Sequence, residues 1–561
     1  MRSAGLLLGL LLMAAPARAA VAPAVEAANG MVVTAQRLAS AVGVGILRAG
    51  GNAVDAAVAV GYAEAVVNPC CGNIGGGGFM VLHLADGRDR FLNFRETAPA
   101  AATPGMYLDA AGAAIAGQSL FGYKAAAVPG SVLGLDTALR EYGSMTRAQV
   151  MAPAIQLARD GFKLEAADTA ILGLATARFR ADPVLSRLFL RPDGGPLQPG
   201  DHLAQPELAD TLAAIAQDGP DAFYRGRLPQ AVEAASRAGG GILTAADFAA
   251  YAVTESDPLR CSYRGYDFLS APPPSSGGAT MCEILGILSG YDMAGLGFHS
   301  AAAVHLMTEA MRHAYFDRNT ELGDPAFVRN PLARLLSPQY AAALRAAIPD
   351  RAGVSATLAP GTLPHEKAET THYSVVDHAG NAVSVTYTLN GNFGAVVMAP
   401  GTGVLLNDEM DDFTTRPGTP NLFGLVQGAA NAIAPGKRPL SSMAPTIVTR
   451  DGRTALVLGS PGGSRIITIT LEVALNVIDH GMQPQEAVDA PRLHHQWLPD
   501  EIAAEPFALS PDTEALLRGM GYAIRQQAPW GAAEVIAIDP ATGRLLGASD
   551  PRRPSGAAIG Y

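Results

Sequence analysis

The chain has 561 residues, of which 49% are hydrophobic and only 16% charged, so it can bury a large core despite its 62 glycines and 40 prolines. A formal net charge of −11 argues against binding to a phosphate backbone, which relies on clustered Lys and Arg, and so argues against nucleic acid as a partner. Four cysteines in a chain of this size are no disulfide framework, and no CxxC or Cys/His spacing points to structural zinc.

The N-terminus carries Arg2, an apolar run from Leu6 to Ala15 and the small-x-small sequence Ala17-Arg18-Ala19, which together predict a secretory signal peptide over 1–19, removed after Ala19. That run is shorter than the roughly 20 residues needed to span a bilayer, and no later segment is long and apolar enough. The expectation is an exported protein, periplasmic or secreted, with no stable membrane anchor. There is no cysteine to carry a lipid at the cleavage site and no twin-arginine pair.

Residues 36–49 read as an amphipathic helix stopped by Gly50-Gly51, and Ala53 to Val67 as a nearly all-apolar, buried helix stopped by Asn68-Pro69. Cys70 and Cys71 are neighbours and are not expected to pair with each other. After Gly75-Gly76-Gly77-Gly78, the stretches Phe79–Leu84 and Arg90–Arg95 read as a hairpin about Asp86-Gly87, with Arg95 at its far end. The glycine run lacks the Lys-Ser/Thr ending of a P-loop and precedes a strand, so it reads as close backbone packing. From about 150 to 350 the pattern is mainly helical. Within it, His305, Glu309 and His313 recur at helical spacing, which reads as a polar helix face rather than a metal site. Cys261 and Cys282 flank a strand-like, proline-rich stretch; the sequence leaves open whether they pair.

The stretch from about Gly353 to Glu369 is rich in Pro, Gly, Ala and Thr and reads as a cleavable connector. Beyond it, Tyr373–Asp377 and Ala382–Leu389 alternate around Gly380-Asn381, and Pro445–Thr449 and Thr454–Gly459 alternate around Asp451-Gly452, giving two hairpins. The loop from Thr414 to Asn431 is too long for a simple turn and is a candidate lid. Residues 466–478 read as a buried helix, and Glu534–Asp539 with Arg544–Ser549 as a last hairpin. Strands in both halves with helices outside suggest stacked antiparallel sheets sandwiched by helices.

Thr370 stands where the connector ends and a strand begins. Taken alone, a Thr-Thr pair entering a strand is ordinary. Freed by chain cleavage, however, such a threonine carries both a hydroxyl nucleophile and an α-amine base with an unperturbed pKa of about 7.7 to 8.0. Likewise Arg95 alone is a surface strand residue, Ser441-Ser442 a turn, Asp411-Asp412 a solvated acidic pair and Gly462-Gly463 a strand-ending turn.

Together these segments resemble the γ-glutamyltransferases (glutathione hydrolases). The resemblance runs through Asn73-Ile74-Gly75-Gly76-Gly77-Gly78-Phe79-Met80, Phe94-Arg95-Glu96, Pro272-Pro273-Pro274-Ser275-Ser276-Gly277-Gly278, Thr370-Thr371-His372-Tyr373-Ser374-Val375-Val376-Asp377, Thr386-Tyr387-Thr388-Leu389-Asn390, Met410-Asp411-Asp412-Phe413, Lys437-Arg438-Pro439-Leu440-Ser441-Ser442-Met443, Gly459-Ser460-Pro461-Gly462-Gly463-Ser464 and His494-His495-Gln496-Trp497-Leu498-Pro499.

The resemblance implies an N-terminal-nucleophile hydrolase: an α+β, four-layer αββα sandwich with two stacked antiparallel sheets. It implies a precursor that cuts itself between Glu369 and Thr370 into a large subunit, 20–369, and a small catalytic subunit, 370–561, which remain one intertwined unit. Thr370 would be the nucleophile, Thr388 its hydroxyl partner, and the Gly462 and Gly463 N–H groups the oxyanion hole. Arg95, Ser441 and Ser442 would hold the α-carboxylate of a γ-glutamyl donor, and Asn390, Glu409 and Asp412 its α-ammonium. Phe423 occupies a lid position where the family often has Tyr, and Glu409 one where some members have Gln. Donors would be glutathione and other γ-glutamyl compounds, acceptors water, amino acids or peptides, with no cofactor or metal. Two rivals are a cephalosporin (glutaryl) acylase of the same superfamily and an uncleaved, non-catalytic γ-glutamyl-binding protein.

Overall fold

The computed structural model describes residues 22–355 and 370–561. The expected signal peptide over 1–19, Glu369 of the expected cleavage site and most of the expected connector lie outside these residues. Two seven-stranded antiparallel sheets carry the architecture. The first runs in the order Ala557–Gly560, Met31–Thr34, Thr371–Val376, Ala382–Thr388, Gly77–His83, Asp89–Phe94, Thr254–Ser256. The second runs Val25–Ala27, Leu545–Ser549, Glu534–Ile538, Arg453–Leu458, Thr446–Arg450, Tyr266–Ser270, Leu259–Tyr263.

Alternation along the strands sorts the side chains into three cores. Val33, Phe79, Val81 and Val376 of the first sheet meet Leu269, Ile447, Val457 and Ile536 of the second, forming the layer between the sheets. The opposite faces, with Val32, Met80, Leu82 and Val375 on one side and Val448, Leu456, Leu458 and Val535 on the other, pack against helices. The result is helix, sheet, sheet, helix. The two second-half hairpins that are neighbours in sequence lie in different sheets.

Helix Ala53–Val67 is buried along its entire length, which explains its lack of a polar stripe. Asn52 and Asp55 close a reciprocal capping box at its start. Gly61 leaves room for the Tyr373 hydroxyl, since a Cβ there would lie 2.8 Å from it. Helix Ile466–Ile478 matches the expected span and is buried from Ile466 to Asn476.

Two expectations are corrected. The stretch from 150 to 350 is not only a helical cover, because Leu259–Tyr263 and Tyr266–Ser270 form the edge of the second sheet, where Ser270 registers with Thr446. Cys70 and Cys71 are disulfide-bonded to each other. Both are buried, Cys70 beside Asn68 and Cys71 beside Arg553, so the pair is held away from solvent. Cys261 and Cys282 also pair, tying the sheet edge to helix Gly277–Leu288.

Candidate active site

Thr370 directly precedes the central strand Thr371–Val376, whose neighbour Ala382–Thr388 places Tyr387 opposite Thr371. The next residue, Thr388, therefore faces Thr370: their Oγ1 atoms are 3.2 Å apart, and either can donate. Thr388 Oγ1 also accepts from the Asn390 N–H at 2.7 Å, so its orientation is fixed by the turn that follows the strand. Asn390 adopts φ 81°, a left-handed conformation that asparagine tolerates better than most residues. Both threonines are buried.

No described side chain is placed as a base for Thr370. His372, two residues on, bonds Thr386 at 2.8 Å and Ser374 at 3.2 Å, and burial lowers its pKa to about 3. Glu64 accepts from Asn68 at 2.8 Å and from the Thr371 hydroxyl at 3.4 Å, and burial raises its pKa to about 7. Both groups serve the strand that follows Thr370 rather than Thr370 itself.

The glycine run joins this hydroxyl pair to the cationic part of the site. A Cβ at Gly76 would lie 1.9 Å from the Thr388 carbonyl oxygen, and one at Gly77 would lie 2.4 Å from that of Phe94. Only glycine lets the three backbones approach this closely. Gly78 registers with Tyr387 on one side and Phe94 on the other, which brings Arg95 to the end of the neighbouring strand.

Arg95 is fully buried among three carboxylates. It pairs with Asp412, with Glu409 at 2.6 Å and with Glu96 at 3.4 Å, and its Nε donates to the Pro439 carbonyl at 3.2 Å. Burial works against its charge, but Glu409, Glu96 and Asp412 more than offset this and hold the guanidinium above its usual pKa. Burial raises the carboxyls in turn, Glu96 to about 7, and Glu409 and Asp412 upward as well. One guanidinium cannot neutralise three carboxylates in a dry interior. Glu409 Oε1 is buried with no hydrogen-bond partner among the described residues. Arg95, the expected carboxylate anchor, is therefore bonded to two of the expected ammonium anchors, Glu409 and Asp412, in this structure.

Asn390 links the two clusters, since its side chain donates to the Asp408 carbonyl at 3.2 Å, directly before Glu409. Asp412 is braced through its backbone carbonyl by Gln427 at 3.0 Å and Asn431 at 2.6 Å, and its carboxylate accepts from Asn421 at 3.3 Å. The Asn421 Oδ1 also accepts from the Phe423 N–H at 3.1 Å, tying the candidate lid to the acidic cluster. Ser441 Oγ accepts from the Met443 N–H at 3.0 Å. Ser442 Oγ accepts at 2.9 Å from Arg318, a buried arginine that also bonds Ser276 and Gln427. Sequence reading does not single out Arg318: it is one of two arginines in a 21-residue helix, and neither residue type nor spacing signals that it turns inward.

Gly462 and Gly463 lie between strand Arg453–Leu458 and helix Ile466–Ile478 with φ 139° and 58°, conformations that favour glycine. Neither N–H has an acceptor among the described residues. The Phe423 ring covers Gly463, where a Cβ would lie 2.3 Å from the ring. Gly462 and Phe423 also border a cavity of about 430 Å³. His305 and Glu309 are committed elsewhere: His305 to Tyr522 and the Pro349 carbonyl, Glu309 to Arg312, Tyr522 and Gly353.

Comparison with known proteins is decisive at this point, because the family model for gamma-glutamyltranspeptidase matches residues 39–560. The chain belongs to the gamma-glutamyltranspeptidase family. It is 57% identical to the glutathione hydrolase proenzyme of Pseudomonas sp. (strain A14) over 546 residues, covering 96% of this chain and 95% of the relative. It is 47% identical to the glutathione hydrolase proenzyme of Escherichia coli (strain K12), covering 96% and 93%. Among solved structures, cephalosporin acylase from Bacillus halodurans superposes with a TM-score of 0.85 at 28% identity, covering 99% of each chain. The αββα sandwich and the gamma-glutamyltranspeptidase motifs thus occur together over nearly the full length of the chain.

Proposed function

We infer that the protein is an exported, self-processing γ-glutamyl hydrolase and transferase acting on glutathione and related γ-glutamyl amides. The precursor loses residues 1–19 and cuts itself between Glu369 and Thr370 into subunits 20–369 and 370–561. Hydrogen-bonded ladders support continued association, because Thr371–Val376 pairs with Met31–Thr34 and Ala382–Thr388 with Gly77–His83, across the two subunits.

In the first half-reaction Thr370 Oγ1 attacks the γ-amide carbonyl, and its freed α-amine takes the hydroxyl proton and passes it to the departing nitrogen. The Gly462 and Gly463 N–H groups meet the oxyanion, and Thr388 orients the attacking oxygen. The γ-glutamyl ester on Thr370 then passes to water or to an amine. Substrate binding splits the buried ion pairs: the α-carboxylate takes Arg95 with Ser441 and Ser442, and the α-ammonium takes Asn390, Glu409 and Asp412.

The observation that carries this reading is the buried Thr370–Thr388 hydroxyl pair, joined through Asn390 to a cluster with more carboxylates than cations. That surplus suits a ligand with an ammonium group. A glutaryl donor has none, which weighs against the acylase reading despite the likeness to cephalosporin acylase. The test is a denaturing gel of incubated protein together with hydrolysis of γ-glutamyl and glutaryl anilides. Two bands and preference for the γ-glutamyl anilide are expected; a single full-length band, or higher efficiency on the glutaryl anilide, refutes the assignment.

A further inference from the structure

The cavity beside Gly462 and Phe423 has a cationic wall that the chemistry described so far does not use. Arg465, Arg525, Arg552 and Arg553 line it, against the single carboxylate of Glu501. In a chain of net charge −11 this is a local reversal of sign. Arg552 is neutralised by Glu505 at 2.5 Å and Asp550 at 3.1 Å, and Arg525 approaches Glu501 at 3.5 Å.

Arg465 differs. It follows Gly463 by two residues, lies over the Trp530 ring at 4.5 Å and donates to the neutral Gln527 side chain at 2.5 Å. Among the described residues no carboxylate lies within ion-pair distance of it. Burial, which outweighs the attraction of Glu505, lowers its pKa to about 10. A half-buried guanidinium held by a ring face and an amide is oriented but not neutralised, and a carboxylate is its best-matched partner.

We propose that this wall binds the carboxylate of the amino acid or peptide on the far side of the scissile amide, with Arg465 as its main contact. The proposal rests on the γ-glutamyl reading and extends it from the glutamyl half of the substrate to the other half. In the donor reaction the amide C–N bond breaks as the C–O bond to Thr370 forms, and the departing nitrogen takes the hydroxyl proton. A departing peptide carries its carboxylate a few bonds beyond that nitrogen, whereas an anilide carries none. The site therefore selects peptide-like donors over simple amides.

The test compares glutathione with glutathione amidated at its glycine carboxyl, measuring released glutamate. Processed wild-type enzyme is expected to favour glutathione in kcat/KM by about ten-fold, the scale of one charge-assisted hydrogen-bond pair. Arg465→Gln is expected to bring the ratio of the two kcat/KM values to within about two-fold of unity, and Arg465→Lys to retain part of the preference. Because each ratio is internal to one protein, changes in folding or processing cancel. The proposal falls if wild type shows no preference for the free carboxylate, a comparison that needs no variant, or if Arg465→Gln keeps the wild-type ratio. Release of glutamate without discrimination overturns the subsite alone; no release from any γ-glutamyl donor overturns the underlying reading and the subsite with it.

Discussion

Thr370 and Thr388 present their hydroxyl oxygens to each other at 3.2 Å across the first rung of a strand pair, and the Asn390 N–H locks the second of them from behind. In the proposed mechanism Thr388 is a positioning group, and its removal is separable from loss of Thr370, the proposed nucleophile. Thr370→Ala is expected to give an uncleaved, inactive chain. Thr388→Val keeps shape and strand propensity but removes the hydroxyl, and should lower kcat/KM about 10- to 100-fold, as expected for one hydrogen bond to a developing charge. Thr388→Ser should recover most of it. Gel densitometry and kinetics on γ-glutamyl-p-nitroanilide provide the check; full activity in Thr388→Val would remove the residue from the mechanism.

Arg95 and its carboxylates form the second separable unit. Replacing Asp412 by Asn keeps its size and its hydrogen bond from Asn421 but removes one negative charge from the ammonium side. The expected outcome is a loss of γ-glutamyl hydrolysis of about 100-fold or more, with a much smaller change for glutaryl donors, so that the preference narrows or inverts. Arg95→Gln should be the more disruptive change. It leaves buried Glu409, Glu96 and Asp412 without their cation, a loss on the order of 3–5 kcal/mol in a denaturant melt. Equal losses on both donors in Asp412→Asn would show that the residue does not read the ammonium.

How much of this was legible beforehand depended on the range of each signal. Helices 53–67 and 466–478 carry their boundaries locally, in Asn52, Asn68-Pro69 and Gly462-Gly463, and the hairpins carry theirs in Asp86-Gly87 and Asp451-Gly452. Alternation gives the face of a strand but not the sheet it joins, so two neighbouring hairpins that enter different sheets look alike in sequence. The five-residue strands Leu259–Tyr263 and Tyr266–Ser270 are too short to stand out inside a helical stretch. Motif resemblance named Arg95, Glu409 and Asp412, but their mutual pairing joins positions more than three hundred residues apart and appears only in the fold. Arg318 and Glu64 gave no motif at all, because a buried ionisable residue inside an ordinary helix differs from an exposed one only in what surrounds it.

Contact between Gly463 and the Phe423 ring couples the proposed oxyanion loop to the candidate lid. A methyl group at 463 would lie 2.3 Å from the Phe423 ring and would require an alanine at φ 58°. Gly463→Ala should therefore lower kcat by about 100-fold or more, partly through misplaced N–H donors and partly through lid displacement. Phe423→Ala in the same chain relieves the clash but not the backbone strain. If contact with the ring dominates, the double variant should recover about 10-fold over Gly463→Ala; strictly additive losses would show the two positions to be independent.

Glu64 gives a stability signature that can be read apart from catalysis. Burial raises its carboxyl from 4.5 to about 7, so between these values the folded chain keeps a proton that the unfolded chain has released. Stability from this group is thus fully present below about pH 4.5 and is lost as pH rises to about 7, the reverse of a salt-bridged carboxylate. The full loss corresponds to about 3 kcal/mol. Glu64→Gln retains an oxygen to accept from Asn68 and Thr371 but cannot ionise. It should match wild type near pH 4.5 and be the more stable protein at pH 8 in reversible denaturant unfolding of the uncleaved Thr370→Ala chain, where both proteins unfold as single chains. An equal offset at both pH values would show that Glu64 does not titrate between them. Because Thr371 separates Glu64 from Thr370, the same substitution in processed enzyme should leave the pH dependence of kcat/KM unchanged, governed by the proposed Thr370 amine base rather than by Glu64.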